Sequence, residues 1–145
     1  MSLFRLSSLI AAAALLGACS NPTWSDNAIE VSVSGESFQR IGSPAAATVP
    51  FTVENRSSGS IFVGRCDEAV MTGLDRLDGE NWVEYSGDLC LAIYPMDPME
   101  IAPGSSRAAS RAVLEAGTYR IRISAALARS AVLDHAIVSN QFEVR

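Results

Sequence analysis

Residues 117–124, with the sequence GTYRIRIS, carry the most regular hydropathy pattern of the chain. Tyr119 and the two isoleucines alternate with polar side chains, and this period of two is typical of a strand that has one buried face. Arg120 and Arg122 fall on the opposite face of that strand. The segment therefore predicts a long strand whose apolar side chains enter a core and whose arginines point off the sheet.

Shorter segments with the same period lie on both sides of this one. We predict further strands at 29–33, 38–41, 49–53, 60–66, 71–77, 81–85, 89–94, 107–116 and 137–144. Asp78-Gly79 is typical of a hairpin turn between two of them. A helical turn is expected at 127–134, and no long amphipathic helical pattern occurs. Short strands separated by turn residues predict an all-β fold, an antiparallel β-sandwich of about seven to nine strands.

Several short motifs resemble those of bacterial immunoglobulin-like domains. The motifs are Phe51-Thr-Val-Glu-Asn55, Gly79 before Trp82, Ile101-Ala-Pro-Gly104-Ser, Gly117-Thr-Tyr119-Arg-Ile and Ser139-Asn-Gln-Phe142-Glu-Val. The similarity covers most of residues 48–145 and is nearest to the type found in the Bacillus intracellular proteinase inhibitor. This resemblance implies an immunoglobulin-like β-sandwich and carries over no functional residue.

The amino terminus predicts export and lipidation. Leu16-Gly17-Ala18-Cys19 ends an apolar run and resembles the lipobox of bacterial lipoproteins, in which the cysteine takes the lipid. The run is too short to span the ~30 Å hydrocarbon core of a bilayer as a helix. An ordinary secretory signal or a short membrane anchor is the alternative. We expect a signal peptide at 1–18, a tether at 19–28 with palmitate on Cys19, and one domain at 29–145.

The two remaining cysteines form an even pair. Export places Cys66 and Cys90 in an oxidising compartment, where a disulfide is the expected state. A structural metal site would need more thiol or imidazole ligands, and the chain has one histidine. The sequence therefore predicts a Cys66–Cys90 disulfide.

Negative charge is concentrated in one segment of the predicted mature chain. Without Arg5, ten arginines oppose sixteen acidic residues, and the net charge of −6 argues against a nucleic-acid partner. Residues 67–100 hold nine carboxylates and one arginine. We predict that this acidic face binds a partner, and the candidate contacts are Asp75, Asp78, Glu80 and Glu84. A solvated surface that only keeps the domain soluble is the alternative.

The last third of the chain is net positive. Its arginines include Arg107, Arg111, Arg120 and Arg122. We expect a solvated face that complements the acidic segment. A site for phospholipid or anionic glycan is the alternative.

The motifs do not indicate catalysis or a resident metal. The segment 75–81 has some oxygen ligands of a calcium loop but lacks their alternate spacing. Met96-Asp-Pro-Met99, with Met71 and His135, makes only a weak copper(I) site. The chain lacks a Gly-x-Ser-x-Gly elbow and a glycine-rich phosphate loop. We therefore expect no enzyme activity, no catalytic residue, no metal ligand and no cofactor.

These observations favour a non-catalytic envelope lipoprotein that binds another envelope protein or assists an assembly. Its partners are expected to be the membrane, through the lipid on Cys19, and a second envelope protein. Ser20 after the lipidated cysteine resembles the outer-membrane sorting signal, which implies the periplasmic face of the outer membrane. A protease-inhibitor-like module of the cell envelope is the alternative, and it rests on the fold resemblance alone.

Overall fold

The computed structural model describes residues 28–87, 97–129 and 131–145, which form thirteen strands and no helix. The strands are β1 (Ile29–Val33), β2 (Ser37–Phe38), β3 (Ala47–Asn55), β4 (Ile61–Val63), β5 (Arg65–Cys66), β6 (Ala69–Val70), β7 (Gly73–Asp78), β8 (Asn81–Ser86), β9 (Met99–Ile101), β10 (Ser106–Val113), β11 (Gly117–Ala126), β12 (His135–Val138) and β13 (Phe142–Val144). The predicted all-β sandwich is confirmed. The strands outnumber the expected seven to nine because several predicted strands are interrupted and some pairs extend over only two residues.

Two main sheets share one core. The first contains three antiparallel strands in the order β1-β3-β10, with Phe51 of β3 opposite Val33 and Ala109. The second is built around β11, which pairs with β7 and β4 along one edge and with β12 and β13 along the other. In that sheet β8 extends β7, β9 extends β4, and β2 lies parallel to β13. A separate small hairpin joins β5 to β6.

The strand predicted at 117–124 is β11, and its two faces are as expected. The side chains of Tyr119 and Ile121 are fully buried in the core. Arg120 and Arg122 lie on the outer face, where 27% and 29% of their side-chain surfaces are exposed. Burial of each large apolar side chain contributes about 1.5–3 kcal/mol, which is enough to fix which face of β11 points inward.

The predicted strand at 60–66 is broken, because residues 64–72 leave the sheet. Val63 lies opposite Ala125, and Gly73 lies opposite Arg122. Between these two pairs β11 has two residues, 123 and 124, whereas its partner has nine, 64–72. The residues in excess form the β5–β6 hairpin. Thus β4 and β7 are two parts of one edge, separated by an excursion that carries Cys66.

Two amide side chains, of the buried Asn55 and the exposed Asn140, connect the turns to the sheets. Asn55 is fully buried, and its Nδ2 donates to the carbonyls of Gly59 and Ile101 at 2.8 and 2.9 Å. Its Oδ1 accepts from the Ser57 amide at 2.9 Å. Asn140 interrupts the strand predicted at 137–144, and its side chain bonds both the N–H and the C=O of Val33. These contacts tie the ends of the two sheets together.

The remaining sequence predictions have mixed outcomes. The strand predicted at 107–116 is β10, as context indicated, but it runs from Ser106 to Val113 and does not include residues 114–116. Residues 127–129 and 131–134 form bends and a turn in place of the expected helical turn. The strand predicted at 89–94 lies outside the described residues, as do the signal peptide and Cys19. In the part of the chain that is described, no helix is long and apolar enough to cross a membrane.

Candidate partner-binding face

The predicted acidic contacts lie on the hairpin formed by β7 and β8. Asp78 pairs with Asn81, so only Gly79 and Glu80 form the turn. Gly79 has a φ of +62°, which is the conformation that the first position of a type II′ turn requires. Because the turn is this short, the register of the hairpin fixes which acidic side chains leave the sheet on its outer face.

Asp75 is buried and holds two arginines of the neighbouring strand. It lies opposite Arg120 in the β7–β11 pair and is only 6% exposed. Its Oδ2 accepts from Arg120 Nε at 3.0 Å, and its Oδ1 accepts from Arg122 Nε at 3.1 Å. A buried carboxylate needs such charged donors, because an isolated one would lose its hydration without replacement. We call these three residues the Asp75 clamp.

Two further side chains extend the clamp along β8. Glu84 accepts from Arg122, with 2.9 Å between Oε2 and Nη2. The guanidinium of Arg120 lies over the ring of Trp82, 4.6 Å from its centroid, a distance suited to a cation–π contact. Burial acts to lower the pKa of Arg122, but the hydrogen bonds and charges of its two carboxylate partners outweigh it and raise that pKa. Arg122 therefore remains a cation, and its contacts together with those of Arg120 fasten the hairpin to β11.

Asp78 and Glu80 are placed differently from the other two candidates. Both are exposed at the tip of the hairpin. Within the described residues, neither forms an ion pair with an arginine. The structure therefore divides the four predicted contacts into two that hold the hairpin and two that present negative charge to solvent. Binding of a partner by either pair stays a prediction.

An aromatic cluster supports the inner side of the same hairpin. Tyr85 and Tyr119 meet edge to face, with ring centroids 5.3 Å apart. The guanidinium of Arg76 lies 5.7 and 5.9 Å from the two centroids and reaches Glu115 at 3.2 Å. Burial, together with Glu115 and Tyr119, raises the pKa of Tyr85 to about 12. The neutral phenol is thus the form that this packing stabilises.

Sequence reasoning did not identify the pairing of Asp75 with two particular arginines. The alternation in β11 correctly placed both arginines on the outer face. It could not show which strand lies beside β11, because Asp75 and Arg120 are 45 residues apart. The sequence contained only a weaker indication of this pairing. An acidic hairpin and a net-positive strand in the same sandwich are expected to be neighbours.

The remaining candidates are the metal sites and the disulfide. Among the described residues, no group of three or more His, Cys, Asp or Glu side chains is placed to hold a metal ion. His135 lies at a strand end, where its imidazole is 3.7 Å from Asp134. Cys66 ends β5, but its predicted partner Cys90 lies outside the described residues. The Cys66–Cys90 disulfide therefore stays a prediction.

Comparisons with known proteins identify no family. No family model matches the chain, and no curated protein does. Weak likenesses to solved structures exist. The alkylpurine DNA glycosylase AlkC of Pseudomonas fluorescens, bound to DNA containing an abasic site analog, has a TM-score of 0.40 and 9% identity over 81% of this chain and 30% of its own. The CARDB domain of PF1109 from Pyrococcus furiosus has a TM-score of 0.36 and 10% identity over 81% of this chain and 94% of its own. A β-glucosidase from Kluyveromyces marxianus has a TM-score of 0.30 and 12% identity over 80% of this chain and 14% of its own. These likenesses are too weak to assign a function.

Proposed function

We propose that this protein is a non-catalytic envelope lipoprotein whose β-sandwich domain binds another envelope protein. The lipid on Cys19 holds the domain at the periplasmic face of the outer membrane. The tip of the β7–β8 hairpin, with Asp78 and Glu80, contacts the partner. The proposal combines the lipobox with the charge that the fold leaves exposed on the hairpin.

The observation that carries this proposal is the division of the acidic residues on one hairpin. Asp75 and Glu84 are held by arginines of β11, and this pairing makes the hairpin a rigid support. Asp78 and Glu80 are exposed at the tip of that support. Unpaired surface charge steers the encounter with a partner of opposite charge and raises the association rate. A rigid support reduces the entropy that binding would otherwise cost.

The protease-inhibitor-like alternative requires a long exposed loop that a protease can accept. The hairpin that carries the exposed acids turns within two residues. The β7–β8 hairpin therefore does not supply such a loop, and its exposed acids are better suited to a binding module.

Crosslinking in intact cells tests the partner proposal. We expect Asp78→Asn with Glu80→Gln to lower the yield of the crosslinked partner and to lower it most at low ionic strength, because salt screens steering. Glu36→Gln with Asp134→Asn is the matched control, since it removes two charges outside the hairpin. Equal yields from wild type and the hairpin variant would show that the acidic tip serves only solubility.

Membrane fractionation tests the anchor. We expect Cys19→Ala to move the protein from the membrane fraction to the soluble fraction, because several acyl chains hold a protein firmly in a membrane and the variant lacks them. A variant that stays in the membrane fraction would contradict the proposed lipidation.

A further inference from the structure

β10 forms one edge of the three-stranded sheet. Its eight residues lie opposite β3 in a single register, from Ser106 opposite Glu54 to Val113 opposite Ala47. Among residues 28–87, 97–129 and 131–145, no strand pairs with the other side of β10. A long, regular edge is a template for a further strand, and proteins protect such edges with prolines, lysines or bulges. β10 carries none of these devices, since its sequence has neither proline nor lysine and its register has no bulge.

The hydrogen bonds of β3 show which residues of β10 present backbone groups at this edge. The N–H and C=O of one strand residue point to the same side, and successive residues alternate. The Asn55 amide donates to the Ser105 carbonyl, and the Gly104 amide donates to the Asn55 carbonyl, both at 2.9 Å. Odd-numbered residues of β3 therefore point toward β10, and Pro50, which has no N–H, lies opposite Ser110. The outward backbone groups of β10 belong to its even-numbered residues Ser106, Ala108, Ser110 and Ala112.

The opposite edge of the same sheet is capped. At the end of β1, the Asn140 side chain accepts from the N–H of Val33 at 2.8 Å and donates to its C=O at 3.2 Å. An amide side chain thus takes the place of a further strand at that position. The two edges of this sheet therefore differ, and β10 is the one that offers several consecutive outward groups.

The outer side of β10 is open to solvent. All four outward residues are exposed, and their side chains are small and uncharged. Ala109 faces the core, opposite the buried Phe51, yet it is only partly buried. Outward groups that recur about every 6.8 Å are matched by another extended backbone, as in strand addition. The edge therefore fits a further strand.

The outward row of β10 is self-complementary. In an antiparallel pair centred on Ser110, the two Ser110 hydroxyls meet on a two-fold axis, where they can hydrogen-bond to each other. Ala108 then lies opposite Ala112 of the second copy, so that only small side chains meet. The same register brings Leu114, which is 56% exposed, beside Ser106 of the second copy. A second copy thus covers an apolar side chain that the isolated domain leaves in water.

The arginines of β10 select the same register. Centring the pair on Ser110 places Arg107 opposite Val113 and Arg111 opposite Ala109. Centring it on Ala109 would place Arg107 opposite Arg111. Like charges directly opposite one another destabilise a strand pair, so the Ser110-centred register is favoured.

We propose that this protein forms a two-fold symmetric dimer through its β10 edges, antiparallel and centred on Ser110. The two three-stranded sheets become one six-stranded sheet. About six backbone hydrogen bonds join the copies, two for each of three residue pairs. The dimer requires neither the lipid on Cys19 nor the acidic hairpin tip, and it goes beyond the proposed function by giving one assembly two β7–β8 tips.

Thiol crosslinking locates the axis. The full chain is purified in detergent and treated with a short bismaleimide, and wild type gives the background from its own cysteines. We expect covalent dimers from Ser110→Cys, because its Cα lies about 5.5 Å from its equivalent. Ser106→Cys is the matched control on the same face of the same strand. Its equivalents lie roughly 27 Å apart in this register, so it should give no more dimer than wild type.

Charge pairs test the register independently. Ala108→Lys with Ala112→Lys places like charges opposite each other twice, and we expect the dimer dissociation constant to rise roughly tenfold. Ala108→Lys with Ala112→Glu changes the same two exposed positions but places opposite charges together, and it should keep the wild-type constant. Sedimentation equilibrium in density-matched detergent measures both constants.

The outcomes separate the possible occupants of the edge. Crosslinking at Ser110→Cys alone, with dimerisation retained only in the Lys/Glu variant, supports the dimer. A chain that sediments as a monomer at every concentration would overturn it. Equal crosslinking at both cysteines, or equal weakening in both charge variants, would overturn the register. Protection of the outward β10 amides from hydrogen exchange that is independent of protein concentration would assign the edge to a segment of the same chain and overturn the proposal.

Discussion

Replacing Asp75 with asparagine should destabilise the domain through the Asp75 clamp. The change keeps the size of the side chain but removes the charge that Arg120 and Arg122 share. Removing one partner of a buried ion pair typically costs 3–5 kcal/mol, because the other charge stays buried without compensation. Here the arginines keep 27% and 29% of their side-chain surfaces exposed, so solvent screens part of this cost. We expect a loss of about 2 kcal/mol in the free energy of unfolding, somewhat below that range.

Urea and thermal unfolding measure this loss. About 2 kcal/mol in a domain of this size lowers Tm by roughly 6–10 °C and lowers the urea midpoint without changing the m-value. Asp78→Asn is the matched control, since it makes the same chemical change at the exposed tip and should alter stability by less than about 0.5 kcal/mol. If Asp75→Asn and Asp78→Asn have the same midpoint, the clamp does not stabilise the fold and the reasoning is wrong.

Three further outcomes can be measured on the same protein. Asn55→Ala should lower the free energy of unfolding, measured by urea titration, by roughly 3 kcal/mol, because it leaves buried carbonyl and amide groups without partners. Asn81→Ala, at the exposed hairpin, should lower it by less than about 1 kcal/mol. Non-reducing peptide mass spectrometry should show Cys66 linked to Cys90, and reduction should cost roughly 3 kcal/mol for a loop of about 25 residues; two free thiols in protein taken from the envelope would refute the pair. The folded pKa of Tyr85, raised to about 12 from 10.0, predicts a stability contribution that is complete below pH 10 and lost as the pH rises through 12. Because the chain has three tyrosines, the check is the difference between the absorbance titrations of wild type and Tyr85→Phe; a difference signal that is half complete at pH 10 in the folded state would contradict the prediction.

The amino-acid sequence was sufficient for the fold class because each strand carries its own signal. A buried face requires only that alternate side chains be apolar, and this condition can be read in β1, β3 and β11 without knowledge of any neighbour. The interruption at 64–72 carries no such signal. Cys66 falls in the strand predicted at 60–66 and Met71 in the strand predicted at 71–77, so the local pattern does not show that residues 64–72 leave the sheet. That departure becomes visible only from the pairing with β11.

The candidate face illustrates the same limit at the level of charge. Composition identified an acidic segment. Whether a carboxylate in it is buried in an ion pair or exposed depends on the residue opposite it in the neighbouring strand, and local composition does not determine that register. Asp75 lies opposite an arginine and is buried, whereas Asp78, three residues later, ends the strand and is exposed. The two residues therefore belong to different parts of the proposed mechanism. Asp75 can influence a partner only by holding the hairpin in place, so its loss should affect stability and binding together. The tip acids can influence it by contact, so their loss should affect binding while the fold stays intact.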